Sequence, residues 1–376
     1  MDVQSRRPRA KTLRRKAAEQ LLTELLASPE EGRRERLQEE RFQDPLLFEL
    51  LVEAGHAALP WEPRQAGEIL NLATGLIVLL EKRGILDAEL EGEGYCRALC
   101  LAGTARRLLG DVQKAEAAFE RAGSLAVAAP GRGFFCRALA LLRWDQGRSE
   151  EAAALLHHAQ RRYAEGQAMG EVAVCLALLG LLHVEDGEVW RAAPFLLRAS
   201  RDLDSESRPA LAAQCWLGLA FCHAASGEPN EARSARRMAW SLYRKLREEE
   251  LLTLYWLEGR GAALAGDAED ALHLLDSVRR ALIGRRLLPE ATLATMDLGL
   301  LRNEAGKGAE VSALLAELKA AFEGQPGFDL ARGVLESIAG DAAAGRLNHD
   351  MWTCLAQPLR MAFRSQGLGL RPVQFA

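Results

Sequence analysis

From Leu99 to Ala122 (LCLAGTARRLLGDVQKAEAAFERA) apolar positions recur with helical spacing, interrupted once, at Gly110 and Asp111. That pattern predicts two amphipathic helices joined by a tight turn. Gly110 closes the first, because a residue without Cβ takes the left-handed conformation that satisfies the last carbonyls. Asp111 then serves as N-cap for the second. Small and large residues alternate across the pair: Gly103 before the turn, then Ala115, Phe119 and Ala122 after it. Such spacing lets two helix axes approach closely while one ring fills the gap between them.

The same unit returns five times. Gly110 is followed by Gly147, Gly187, Gly227, Gly266 and Gly306, at steps of 37, 40, 40, 39 and 40 residues. A ladder of this period is the signature of stacked helical hairpins, an architecture that presents extended binding surfaces. An all-α chain folded as a right-handed α-solenoid is the expectation.

The units resemble tetratricopeptide repeats. Trp216, Leu219, Ala220 and His223 with Ala232 fit that pattern, as do Leu176, Leu179, Gly180 and His183 with Ala192, Leu196 and Ala199. Tyr255 and Gly259 pair in the same way with Ala271 and Leu275, Cys136, Leu139 and Ala140 with Ala152, Leu156 and Ala159, and Leu298 and Gly299 with Val311 and Leu315. The family's usual period is about 34 residues, and its usual closing proline is missing here. The longer step resembles the long-repeat variety of bacterial regulators such as the Rap and MalT sensor domains. Glu290 to Val311 is similar to the closing repeat of bacterial tetratricopeptide-repeat proteins. The resemblance implies close helix crossings at Gly103, Gly180, Gly259 and Gly299.

Four segments follow. Residues 1–45 hold a basic arm (Arg6, Arg7, Arg9, Lys11, Arg14, Arg15 and Lys16) and short helices, one from Thr12 to Ala27 and another opened by Ser28-Pro29. The arm is expected to be a solvated end, with phosphate contact as the other reading. Residues 46–93 form a degenerate first repeat, with helices from Pro45 to Ala58 and from Arg64 to Leu80, and a hinge at Asp87 to Gly94. Residues 94–323 carry the six repeats. Residues 324–376 supply capping helices, Phe328 to Ala344 and His349 to Phe363, and a tail.

Composition narrows the function. With only 6% aromatics and abundant alanine and leucine, helix is favoured throughout. A net charge of −4 gives no global pull toward nucleic acid or an acidic membrane. No apolar run approaches the ~20 residues of a membrane helix, and no export signal is evident, so a cytoplasmic location is expected. Seven cysteines, an odd number lying within amphipathic helices, read as reduced, buried thiols. Cys96 with Cys100, and Cys222 with His223, do not complete a four-ligand metal set. There is no Gly-rich phosphate loop ending in Lys-Ser or Lys-Thr, no GxSxG and no HExxH. No cofactor and no catalytic residue is expected.

A non-enzymatic scaffold or regulator that binds a protein or peptide is therefore the primary expectation. The alternative is a nucleic-acid-associated transcriptional or signalling regulator that uses the basic arm. In the tetratricopeptide pattern the first helix of each hairpin lines a concave face. By that resemblance the partner-binding positions are Arg97, Arg107, Phe134, Arg137, Trp144, Phe221, Trp256 and Arg260, with Cys100 and Met296 in the same columns. Arginine and aromatic residues dominate, which suits a peptide with acidic groups clamped between Arg137 and Arg260. Packing between neighbouring hairpins is the competing role for Trp144, Phe221 and Trp256.

Overall fold

A computed structural model describes residues 6–86, 90–125, 129–323, 329–344 and 346. Among them are seventeen α-helices and no strand. The contacts group the chain into two compact units. One takes in the described residues up to Leu142 together with Arg161–Gly166; the other takes in Arg143–Gln160 and the described residues from Gln167 onward.

The first unit begins with α1 (Arg6–Ala27) and α2 (Glu30–Arg36), followed by the hairpin α3 (Pro45–Ala58) and α4 (Pro63–Lys82). Asp44 caps α3 by accepting the Leu46 N–H at 2.7 Å, as a residue before an N-terminal proline can. Ala66, Leu70 and Ala73 of α4 are fully buried. The hairpin α5 (Tyr95–Leu108) and α6 (Val112–Leu125) packs against it through α4.

From Arg6 onward the arm is helical. It is the start of α1, which packs on α3 and buries Ala18 and Leu25, while Arg15 reaches Glu53 of α3 at 2.8 Å. Its arginines and lysines lie on a helix that the apolar residues after Lys16 hold in place. Of the expected hinge, residues 87–89 lie outside the described residues, and 90–94 form a helical turn that runs into α5.

Two helices, α7 (Ala129–Asp145) and α8 (Ser149–Glu165), contribute residues to both units. The second unit continues with the hairpins α9 (Met169–Glu185) and α10 (Val189–Asp202), α11 (Pro209–Ala225) and α12 (Pro229–Tyr243), α13 (Glu248–Leu264) and α14 (Ala268–Gly284), and α15 (Leu288–Glu304) and α16 (Gly308–Ala321). Each first helix touches the next: α9 packs on α11, α11 on α13 and α13 on α15. Helix α17 (Asp329–Ala343) lies on α16 and covers the last hairpin with Leu335, Ile338 and Ala342. The second capping helix, the GQPG break and the tail lie outside the described residues.

The glycine ladder is a ladder of identical turns. All six marker glycines have positive φ, from 72° at Gly147 to 80° at Gly266. After each, the next N–H returns to the carbonyl five residues back, as from Asp111 to Arg106 at 2.9 Å and from Glu188 to His183 at 2.8 Å. This is the six-to-one bond of a Schellman cap. Asp111 also accepts the Lys114 N–H, as an N-cap should. In the second helices the positions five, nine and twelve residues beyond each glycine point inward. Ala115, Phe119 and Ala122, Ala152, Leu156 and Ala159, and Ala192, Leu196 and Ala199 are all buried.

Helices α14 and α16 are tied by one buried cation. Arg279 donates to Asp276 at 3.1 Å and to Glu317 at 2.9 Å, and Arg280 also bonds Asp276. Burial opposes ionisation of Asp276, but the hydrogen bonds from Arg280 and Arg279 outweigh it and hold the carboxyl below the ordinary range. A depressed carboxyl contributes stability that is present above its unfolded pKa, about 4, and is lost as pH falls through the folded value. Asp276→Asn should therefore flatten the acid limb of stability against pH in urea titrations below about pH 5. A limb of unchanged steepness would remove Asp276 from the account.

Candidate functional site

The expected binding residues fall into two groups, one in each unit. In the first unit the Arg97 guanidinium of α5 lies 5.6 Å from the centre of the Phe134 ring of α7. Arg137, one helical turn beyond Phe134, stands 5.5 Å from the same ring and 5.6 Å from that of Tyr163 on α8. Arg97 is exposed and Phe134 half-buried, whereas Arg137 is buried between its two rings. Arg107, near the end of α5, is buried as well.

In the second unit Arg260 of α13 lies 5.5 Å from the Phe221 ring of α11 and 3.8 Å from the Asp297 carboxylate of α15. The same carboxylate accepts the Trp256 indole N–H at 2.8 Å. Trp144 of α7 makes the equivalent bond to Glu185 of α9, also at 2.8 Å. Both bonds span 41 residues, one repeat plus a residue, and so staple one first helix to the next. A buried indole needs such an acceptor.

Burial sorts these residues further. Trp144, Phe221 and Trp256 are buried, so in this structure the rings act in packing between hairpins, and the partly exposed Arg260 is the group they leave near the surface. Helix α9 is buried without a break from Val172 to Val184, and α11 nearly so. A helix apolar on every face sits inside the protein rather than along a groove. The one polar interruption of α11 in this region is Gln214, whose buried Oε1 accepts no hydrogen bond. Arg137 and Arg260 belong to different units, each with its own ring partners. Cys100 and Met296, the other members of these columns, are buried apolar groups. The six cysteines among the described residues are all buried; burial pushes the Cys222 thiol up to about 11, which suits packing rather than reactivity.

A second cluster escaped the sequence reading. In α12 the inward position nine residues after the marker glycine is Arg236, where the other five second helices place Phe119, Leu156, Leu196, Leu275 and Leu315. Facing it on α13 is Glu258, at a position occupied elsewhere by Ala102, Leu139, Leu179, Leu219 and Leu298. An apolar contact has been replaced by a buried ion pair, with 7% and 4% side-chain exposure and a separation of 3.3 Å. Glu258 is fully engaged: Trp240 donates to one oxygen at 2.7 Å and Tyr243 to the other at 2.9 Å. Burial first, and the Glu258 charge second, hold the Tyr243 phenol protonated far above its ordinary range. Arg236 also reaches Asp267 at 3.1 Å and Asp270 at 3.3 Å, and lies 5.4 Å from the Trp240 ring. The signal for this cluster was the double departure from the repeat register.

Among the described residues there is no grouping of three or more His, Cys, Asp or Glu side chains placed to hold a metal ion, and no helix long and apolar enough to cross a membrane. The arrangement offers guanidinium, indole and carboxylate groups for recognition.

No protein-family model and no curated protein matches the chain by sequence. Among solved structures it is similar to a Rap protein complexed with Competence and Sporulation Factor, with a TM-score of 0.62 over 86% of this chain and 88% of that one, at 12% identity. It is also similar to BtubC (BKLC) from P. vanneervenii, with a TM-score of 0.43 over 62% of this chain and 90% of that one, at 17% identity. Together with the seventeen helices, the first likeness defines the fold class as a solenoid of stacked helical hairpins, like that of tetratricopeptide repeats.

Proposed function

We propose that this chain is a non-enzymatic scaffold that binds a peptide, or a segment of a partner protein, through side chains on the first helices of its hairpins. The observation that carries the reading is the placing of arginine beside an aromatic ring on those helices in both units: Arg97 and Arg137 at Phe134, and Arg260 at Phe221. A guanidinium held over a ring keeps its donor edge for a carboxylate while its flat face is covered. The fold class supports the reading, and the Rap neighbour was solved with a factor bound. A peptide with acidic groups suits the positive charge of Arg97 and Arg260.

The test is a selection of random peptides on the full chain, followed by titration of the selected sequences. Acidic residues should be enriched among them. Arg97→Glu should weaken peptides held by the first unit, and Arg260→Gln those held by the second, about tenfold in each case, the scale of a lost charge-assisted contact, and both should leave the circular dichroism melt in place. If no peptide is selected, or if both variants bind as the wild type does, the reading is wrong.

A further inference from the structure

The Arg236 cluster forms the floor of an open cleft of about 660 Å³ between α12 and the turn that begins α14. That volume lies within the roughly 300–1,000 Å³ range of clefts that hold small ligands. Its two walls carry opposite charge. On α12, Arg233, Arg237 and Trp240 line one side; on the turn, Asp267, Glu269 and Asp270 line the other. The residues that line this cleft come from α12 and from the turn leading into α14, and none of the first-helix positions considered above is among them.

Neither wall is electrically satisfied. Arg233 bonds only the Asn230 side chain and Arg237 only a backbone carbonyl, so among the described residues neither forms an ion pair. They stand one helical turn apart, a spacing that lets two guanidinium groups share one carboxylate. On the floor Arg236 faces Asp267 and Asp270, while its third partner, Glu258, is buried behind it, so one guanidinium is shared among three carboxylates. Asp270 retains 62% exposure, and Glu269 is exposed without an ion pair. A second cation would balance them. Trp240, 47% exposed and fixed by its N–H bond to Glu258, offers a ring for that cation.

We infer that the cleft binds the carboxyl-terminal residue of a peptide when that residue is arginine or lysine. The terminal carboxylate lies on Arg233 and Arg237, and the side-chain cation lies against Trp240 beside Asp270 and Glu269. One residue then supplies both charges that the walls lack. An internal basic residue supplies only the cation, and an acidic peptide supplies only the anion.

The probe is a six-residue peptide, acetyl-Gly-Ser-Gly-Ser-Gly-Arg, titrated calorimetrically into the full chain as the free acid and as the carboxamide, beside free L-arginine. The free acid should bind, the carboxamide about tenfold more weakly, and L-arginine more weakly than the free-acid peptide. Arg233→Ala with Arg237→Ala should cost about tenfold with an unchanged melt, because these side chains are exposed. Trp240→Leu should cost about tenfold as well, and should also lower the melt, because Glu258 loses the indole N–H. Arg260→Gln should leave this binding intact, which separates failure here from failure of the first-helix reading. Absence of binding at millimolar peptide, equal binding of acid and carboxamide, or binding untouched by loss of the two arginines would each overturn the inference. Equal affinity for L-arginine would overturn the peptide terminus as its source.

Discussion

Arg236→Ala should lower stability by about 3–5 kcal/mol in urea or thermal unfolding. The size follows from what remains: Glu258 stays buried with its charge uncompensated, and a void opens where five other hairpins hold Phe119, Leu156, Leu196, Leu275 or Leu315. The ion pair is nevertheless a costly way to fill that space. Desolvating two charges consumes much of their attraction, and well-packed apolar replacements of buried pairs are often neutral or better. Arg236→Leu combined with Glu258→Leu should therefore recover most of the loss, since it restores the residues that the neighbouring repeats use. The remaining deficit, about 1–3 kcal/mol, belongs to the Tyr243 hydroxyl and the Trp240 indole, which lose their acceptor, and adding Tyr243→Phe should remove the hydroxyl's share. A double variant as unstable as Arg236→Ala would show that the pair does not substitute for packing.

The turns were legible in the sequence because their chemistry is local. A left-handed residue every 37 to 40 positions leaves glycine as the residue that fits without strain, and each glycine of the ladder has the expected φ. Buried small residues such as Ala115 and Ala122 were legible for the same reason, since the helical period places them on one face. The binding positions were less legible. Whether Arg137 is exposed depends on Phe134 and on Tyr163, a full helix away, and sequence spacing alone does not show that ring closing over it. The sequence leaves Trp144 and Trp256 either as anchors for a partner or as packing between hairpins, and it does not show that their acceptors Glu185 and Asp297 come from the next repeat. The burial of α9 was present in its composition: from Val172 to Val184 the only charged or strongly polar side chain is His183.

Gly180→Leu should cost about 2 kcal/mol, read as a lower urea midpoint at unchanged slope. A Cβ built on Gly180 would stand 2.5 Å from Leu196 Cγ and 3.2 Å from the Leu196 backbone nitrogen. Leu196 has little room to retreat, because a Cβ on Gly218 would stand 2.8 Å from its Cδ1. The side chain is wedged between two glycines of successive first helices, which is how α10 approaches both α9 and α11. Overpacking at such a crossing reaches about 3 kcal/mol. Leucine is the better helix former by somewhat under 1 kcal/mol, which leaves the net figure. Gly75 supplies the contrast: it is exposed on α4, and a Cβ there would meet nothing within 4 Å. Gly75→Leu should therefore be neutral or slightly stabilising. Pairing Gly180→Leu with Leu196→Ala should relieve part of the strain, because the new side chain can enter the space that Leu196 vacates. If Gly180→Leu proves as harmless as Gly75→Leu, the close crossing of α9 and α10 is not what selects glycine at this position.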